Sequence, residues 1–271
     1  MLRRPIPLQS WLLNTPEVEV WPGGLLRARG NADDRQLARA LRVLRRKRDG
    51  RYLAAELPEG LLPLVDRLPR EPGLADALEA LEPGPTRGLH AHAGELSLDD
   101  LQDRLDALGI EVDTYAARTG LALVAEPDRL AFAGFDRYRR ALWLQRDAAR
   151  AWLAMRAAAL RNGVVLEAIS GYRSHAYQLG IFKRKQARGL AIADILAVNA
   201  APGFSEHHSG RALDIGTPGE PPAEETFEAT PAFAWLQDNA SLHGFGMSFP
   251  RDNPHGITYE PWHWQHHVGG G

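Results

Sequence analysis

The sequence contains no cysteine and has almost no excess of charge. The missing cysteine excludes disulfide bonds and thiolate metal sites, so any metal would be held by histidine and carboxylate. The net charge of -2 argues against a nucleic-acid-binding protein, because neutralising phosphates requires a basic surplus. Two local basic runs, residues 42–51 and 183–188, are interpreted as solvated helix faces.

Long apolar runs are missing as well. No stretch reaches the roughly 18 apolar residues of a membrane span, so we expect none. Residues 1–21 carry two arginines and a weak apolar patch broken by two prolines and a glutamine. This stretch lacks the continuous apolar segment and small-residue cleavage site of a signal peptide, and we expect it to be folded protein.

The length of 271 residues suits one large domain or two modest ones. We predict an N-terminal region at 1–95, of unknown role and small α/β character, with a helix at 31–50 beginning at an Asn31 cap. A strand at 51–57, a short helix at 61–68 and a Pro/Gly-rich linker at 80–95 follow.

The second region, residues 105–268, carries the chemistry. Helices are predicted at 97–109, 138–163, 174–189 and 231–244, and strands at 119–126 and 164–170. Helices mixed with short strands in this order indicate an α+β fold.

Residues 205–214, SEHHSGRALD, place Asp214 within an apolar strand. A glycine permits a sharp turn before the strand, on which Ala212 and Asp214 share one face. The turn can fold His207 back over that face, so that an imidazole and a carboxylate converge as two zinc ligands. A plain His–Asp ion pair is the alternative, which this segment alone favours. Spacing does not choose between His207 and its neighbour His208.

Residues 259–267, YEPWHWQHH, offer a third ligand. Pro261 and the flanking tryptophans favour an extended, kinked segment over a helix. A bend near Pro261 would let Glu260 and His263 point at one site. His263 then completes a three-ligand set, and Glu260 is free to act as a base beside an activated water. His266 and His267 are expected to lie outside the site.

Residues 170–178, SGYRSHAYQ, lie between a predicted buried strand and a predicted helix. Arg173 in the intervening turn can point into a cleft and stabilise a developing oxyanion. Gln178 lies about one helical turn further along, on the same side. Taken alone, this segment favours the alternative, a surface arginine paired with a carboxylate.

Together, in this order, the three segments resemble the zinc D-alanyl-D-alanine carboxypeptidases of the VanY type. Residues 205–214 match the family pattern S-x-H-x-x-G-x-A-x-D, residues 260–263 match E-P-W-H, and residues 170–178 match S-G-Y-R-S-x-x-x-Q. The resemblance covers roughly residues 105–268. It implies the α+β fold shared with the D-Ala-D-Ala dipeptidases and the hedgehog signalling domain, a small antiparallel sheet flanked by helices.

The resemblance also implies a role for individual residues. One zinc ion per chain would be held by His207, Asp214 and His263, which selects His207 over His208. Glu260 would be the general base, and Arg173 would hold the oxyanion. The expected substrate-binding residues are Tyr172, Ser174, Gln178 and Ser205.

The implied activity is removal of the C-terminal D-amino acid from a peptidoglycan stem peptide or muropeptide. The alternatives are an L,D-carboxypeptidase or a stem-peptide endopeptidase of the same family, and a non-catalytic zinc-containing binding module. Retention of Glu260 and Arg173 favours catalysis over the binding module. The lack of a visible signal peptide indicates the cytoplasm, whereas the resemblance indicates the cell wall, and the sequence does not decide between them.

Overall fold

The structure is a computed structural model that describes residues 10–26, 35, 37–82, 94–197 and 199–267. Its internal contacts divide the chain into two compact units, Met1–Leu96 with Pro127–Phe132, and Ser97–Glu126 with Ala133–Gly271. No helix in the described ranges is long and apolar enough to cross a membrane. Residues 1–9, the Asn31 cap and most of the predicted linker at 80–95 lie outside the described residues.

The first unit is built on an antiparallel sheet. Its strands are β1 (Trp11–Asn14), β2 (Val18–Pro22), β3 (Arg42–Arg46), β4 (Tyr52–Leu57), β5 (Gly60–Pro63) and the beginning of β6 (Arg129–Phe135), in the order β5-β4-β3-β2-β1-β6. Helix α1 (Leu74–Leu81) contributes Ala77 to a core with Val20 and Leu44. Val43, next to Leu44 on β3, lies in a second core with Leu37, because neighbouring strand residues face opposite ways.

Two element predictions for this unit are wrong. The helix predicted at 31–50 is replaced at Arg42–Arg46 by strand β3, which pairs with both β2 and β4. The helix predicted at 61–68 is replaced by strand β5 and a 3₁₀ turn at Leu68–Arg70. At β3, pairing with the two neighbouring strands overrides local helix propensity, and at β5 the hairpin with β4 does so. The strand predicted at 51–57 is confirmed as β4.

The second unit combines helices with a small antiparallel sheet, which confirms the α+β prediction. Its helices are α2 (Asp99–Asp106), α3 (Val112–Thr119), α4 (Arg146–Arg161), α5 (His175–Gln186), α6 (Ile192–Ala197) and α7 (Pro231–Asn239). Its strands are β7 (Ala141–Leu144), β8 (Glu167–Ser170), β9 (Ala212–Gly216), β10 (Phe245–Met247) and β11 (His263–His266). The sheet order is β10-β11-β9-β8, with every pair antiparallel.

The predicted helices and strand of this unit are mostly confirmed. The exceptions are residues 119–126, where no strand forms, and the start of the predicted 138–163 helix, where residues 141–144 form β7. Strand β9 is buried along its whole length, between β8 and β11. Any polar side chain on β9 is therefore held in the interior, where it requires a partner.

Candidate metal centre

The site is centred on Asp214, in the middle of β9. The sheet register pairs Asp214 with Ser170 of β8 on one side and with His263 of β11 on the other. Asp214 is 4% exposed. A buried carboxylate is unfavourable unless it is paired, so the groups around Asp214 define what the site can hold.

His207 approaches Asp214 from a 3₁₀ turn at Glu206–Ser209. The turn ends at Gly210, whose φ of 68° is in the left-handed region that glycine tolerates. The predicted fold-back is therefore present, and His207 Nε2 lies 3.2 Å from Asp214 Oδ1. His207 Nδ1 lies 2.8 Å from the carbonyl oxygen of Gly171. Because a carbonyl only accepts, Nδ1 carries the hydrogen and Nε2 presents its lone pair to the site.

His263 reaches the same point from the beginning of β11. Its Nδ1 lies 3.2 Å from Asp214 Oδ1, and its Nε2 lies 2.9 Å from Glu206 Oε2. Ser248 donates its hydroxyl hydrogen to the same Glu206 oxygen at 2.6 Å. A carboxylate on the outer nitrogen is the common way to orient a metal-binding histidine. Glu206 is not predicted from the sequence, because its partners lie 42 and 57 residues away along the chain.

The donor set fits a transition-metal ion. One ligand atom each from His207, Asp214 and His263 lies within 4.8 Å of the others. The two imidazole rings are nearly perpendicular, at 81° and 4.9 Å between centroids. Two imidazole nitrogens and one carboxylate oxygen are ligands that zinc accepts in three-ligand sites. The structure thus brings together all three predicted metal ligands.

The buried groups of the cluster shift one another's pKa values in different directions. Burial opposes ionisation of Asp214, but His207 and Arg173 hold the pKa of its carboxyl well below the usual value. Burial lowers the pKa of His207 to about 4, and the Arg173 charge adds to this shift. Burial acts the same way on His263, but its contacts with Asp214 and Glu206 outweigh this and raise its pKa to about 10. The carboxylate is therefore ionised at neutral pH, as a metal ligand must be.

Glu260 lies beside this cluster. Its Oε2 is 3.9 Å from His263 Nδ1. Its carbonyl oxygen accepts from the His263 backbone N–H at 3.1 Å, so the chain turns at residues 260–263 as predicted. Burial, the largest influence, raises the pKa of the Glu260 carboxyl to about 7. A carboxyl with a pKa near neutrality is suited to exchange protons with a reacting group.

Arg173 lies in the turn between β8 and α5 and contacts the cluster directly. Its Nη2 donates to Asp214 Oδ2, and its Nε donates to Ser170 Oγ at 2.9 Å. The carboxylate partner considered as an alternative thus exists, but it is the buried Asp214 and not a surface group. Arg173 also lines the cavity over the site.

This cavity, of about 370 Å³, is lined by four of the predicted catalytic and substrate-binding residues as well as the metal ligands: Arg173, Gln178, Ser205 and Glu260. Gln178 donates from Nε2 to the carbonyl oxygen of Ala200 at 3.1 Å. Its Oε1 is buried and has no hydrogen-bond partner among the described residues. A buried acceptor left open in a cavity wall marks a position where a bound molecule can donate a hydrogen bond.

Two predicted substrate-binding residues are engaged elsewhere and are not among the residues that line the cavity. Tyr172 donates its hydroxyl hydrogen to Glu126. Ser174 caps α5 by accepting from the Tyr177 backbone N–H at 3.1 Å. His208 is buried and bonds the backbone carbonyl of Arg173, and it is His207, not His208, that joins Asp214 and His263 in the cluster.

Comparison with known proteins finds similarity to carboxypeptidases. Residues 141–269 match the family model for VanY, D-alanyl-D-alanine carboxypeptidase. The chain is 38% identical over 125 residues to the protein YodJ of Bacillus subtilis (strain 168), covering 45% of each chain. It is 32% identical over 103 residues to a D-alanyl-D-alanine carboxypeptidase of Enterococcus faecium, covering 37% of this chain and 32% of the other.

Among solved structures, the LdcB LD-carboxypeptidase is 34% identical, with a TM-score of 0.43, over 46% of this chain and 59% of LdcB. The chain spans less than half the length of YodJ and of the Enterococcus faecium enzyme. The family match begins at residue 141, so the similarity concerns the region that carries the metal cluster.

Proposed function

We propose that the protein is a zinc metallopeptidase, since residues 141–269 match the family model for VanY, D-alanyl-D-alanine carboxypeptidase. Its proposed reaction is hydrolysis of the C-terminal D-amino-acid peptide bond of a peptidoglycan stem peptide. The observation that carries this proposal is the buried cluster of His207, Asp214 and His263 with Glu260 in the wall of the same cavity. A structural metal site has no need of a carboxyl group with a near-neutral pKa beside it.

Zinc is the proposed metal, one ion per chain. His207 Nε2, His263 Nδ1 and a carboxylate oxygen of Asp214 would hold it, which leaves a fourth position open. When bound, such an ion supplies a Lewis acid that activates water and polarises a carbonyl.

Two side chains, Glu260 and Arg173, have the remaining roles in the proposed reaction. Glu260 takes a proton from the attacking water and returns it to the leaving amine, a role that suits a carboxyl with a pKa of about 7. Arg173 has five N–H donors, of which Nε and one on Nη2 are engaged. The others can donate to the oxygen that gains negative charge during attack.

The cavity wall suits the end of a peptide. Gln178 and Ser205 supply polar groups there, and about 370 Å³ is near the lower end of the range for small-molecule sites. We assign Gln178 and Ser205 to the terminal residue of the substrate. The contacts of Tyr172 and Ser174 favour a role for both in shaping the turn around Arg173.

The test is mass spectrometry of a muropeptide mixture incubated with the zinc-loaded protein. The expected product is a stem peptide shortened by one C-terminal D-alanine. Removal of a D-amino acid that is bonded to a residue of L configuration would instead indicate an L,D-carboxypeptidase. Cleavage within the stem would indicate an endopeptidase. Glu260→Ala should keep one zinc per chain and lose at least about 100-fold in turnover. A zinc-loaded wild type that cleaves no muropeptide would contradict the proposal and favour a binding module.

A further inference from the structure

His208 is a buried histidine that the proposed reaction leaves without a task. It is fully buried and next to His207 in the chain, yet its ring nitrogens bind the backbone of Gly203 and Arg173 and not the metal ligands. Buried histidines with both nitrogens satisfied hold a fixed tautomer and orientation. The partners of His208 therefore show which parts of the site it connects.

Both ring nitrogens of His208 bind backbone groups. Nε2 accepts from the Gly203 N–H at 3.1 Å, so Nδ1 carries the hydrogen. Nδ1 lies 2.6 Å from the carbonyl oxygen of Arg173 and donates to it. One neutral imidazole thus joins the turn that carries Arg173 to the segment at residues 199–205, which contributes Ser205 to the cavity wall.

The backbone of Arg173 is held on both sides. Its N–H donates to the carbonyl oxygen of His207 at 3.2 Å, and its carbonyl accepts from His208. The neighbouring residues of the turn are fixed by Glu126, which accepts from the Tyr172 hydroxyl and from the His175 backbone N–H. The His175 ring packs edge-on against His208, at 4.4 Å between centroids. These contacts fix the backbone from which the Arg173 side chain extends to Asp214 and Ser170.

We propose that His208 is a positioning residue that acts through Arg173. The inference rests on the proposed function, in which Arg173 stabilises the developing oxyanion. A displacement of about 1 Å in such a group can lower a rate by about 100-fold. Without a donor at the position of His208 Nδ1, the carbonyl of Arg173 loses its partner in the interior, and the turn shifts to find another.

The test uses two substitutions of similar size in the zinc-loaded full chain. His208→Gln offers an NH2 group and a carbonyl oxygen, so it can replace both hydrogen bonds, whereas His208→Leu fills the space and replaces neither. We expect the Leu variant to lose about 10- to 100-fold in kcat with its zinc content unchanged. The Gln variant should stay within about 5-fold of wild type. Equal losses in both variants would indicate a packing role and overturn the proposal.

A double-mutant cycle shows whether the effect passes through Arg173. In an Arg173→Ala background, His208→Leu should change kcat by less than about 2-fold. The same loss in both backgrounds would contradict the proposal.

A readout that needs no turnover separates this inference from the proposed function. In the nitrogen–proton NMR spectrum, the Arg173 Nε–H signal, assigned with Arg173→Lys, should exchange slowly with water in wild type and in the Gln variant. It should exchange fast in the Leu variant. If the wild type is inactive but this pattern holds, the proposed reaction fails and the positioning by His208 stands. Slow exchange of the Arg173 Nε–H in all three proteins would contradict the proposal that His208 positions Arg173.

Discussion

Asp214 and His263 are directly paired residues on neighbouring antiparallel strands, with Asp214 Oδ1 3.2 Å from His263 Nδ1. The ladder hydrogen bonds of β9 and β11 set the separation of these two backbones. The relative position of the two ligands is therefore fixed by the sheet. Only His207 depends on a turn, and the carbonyl of Gly171 holds its ring in place.

Replacing Asp214 should affect both metal binding and the metal-free protein. In Asp214→Asn we expect zinc affinity to fall by at least about 100-fold, because the anionic ligand is lost. We also expect the metal-free protein to lose about 3 kcal/mol of stability, since Arg173 loses its buried carboxylate partner. Thermal unfolding measures both effects. With chelator, the Tm of the variant should lie below that of the wild type, and added zinc should no longer raise it.

The matched control for Asp214→Asn is Asp238→Asn, at an exposed position of α7. Zinc should raise the Tm of this variant as it does for wild type. If zinc raised the Tm of Asp214→Asn as much as that of the wild type, Asp214 would not be a metal ligand.

Glu206 should tune metal affinity through His263. In Glu206→Gln the acceptor for His263 Nε2 stays but its charge is lost, and we expect zinc affinity to fall by about 10-fold. Ser248→Ala removes only the hydroxyl that donates to Glu206, so its effect should be smaller. Competition with a chromophoric chelator gives both affinities. An unchanged affinity in Glu206→Gln would show that this carboxylate does not act on the metal site.

The three site segments could be predicted from sequence because each carries its chemistry within ten residues. The turn at Gly210, the strand carrying Asp214 and the bend at Pro261 follow from local rules for glycine, strand alternation and proline. The contacts of Glu206 with His263, and of His208 with Arg173, were not predictable in this way. Each joins segments more than 30 residues apart, and neither leaves a periodic pattern in the sequence.

The first unit shows the opposite case, in which a local pattern misleads. The run at 42–48, RVLRRKR, has the composition of a helix, but Val43 and Leu44 are buried in different cores on β3. Its arginines are stabilised by distant carboxylates, as in the pairs of Arg42 with Glu56 and Arg45 with Glu19. These partners become visible only after the strands are paired.

Arg46 at the end of β3 provides a stability test of this unit. Its nearly buried guanidinium bonds Asp49 and Glu71, and the hydrogen bond from Arg46 lowers the pKa of Asp49 to about 2. Because the pKa of Asp49 in the folded protein lies below its ordinary value of 3.8, this contribution to stability is present above about pH 4 and is lost as the pH falls toward 2.

We expect Arg46→Met to lower stability by about 2 kcal/mol at pH 7, a value reduced for the partial exposure of Asp49. The difference from wild type should shrink at pH 3. Urea unfolding at both pH values measures it, and Arg39→Met, which breaks the exposed pair with Glu59, is the control with an expected change within about 0.5 kcal/mol. An Arg46→Met effect that is equally large at pH 3 would show that Asp49 is not its source.

Gly171 couples the packing of β7 to the metal ligand His207. A Cβ at Gly171 would lie 2.7 Å from Leu142 Cδ1 and 3.1 Å from the carbonyl oxygen of Trp143. The backbone of β7 cannot yield to it as a flexible side chain would. We therefore expect Gly171→Ala to displace the carbonyl that accepts from His207 Nδ1, with about 1–3 kcal/mol of destabilisation and a several-fold loss of zinc affinity.

Gly180→Ala is the control for this glycine. It lies within α5, where a Cβ would meet only the flexible end of Arg184, at 3.1 Å. Replacing a helix-interior glycine by alanine should stabilise the protein by up to about 1 kcal/mol and leave zinc affinity unchanged. Chelator competition and urea unfolding on both variants separate the two effects. If Gly171→Ala lost stability but kept full zinc affinity, the carbonyl of Gly171 would not be what orients His207, and the ring would be held by the metal ligands alone.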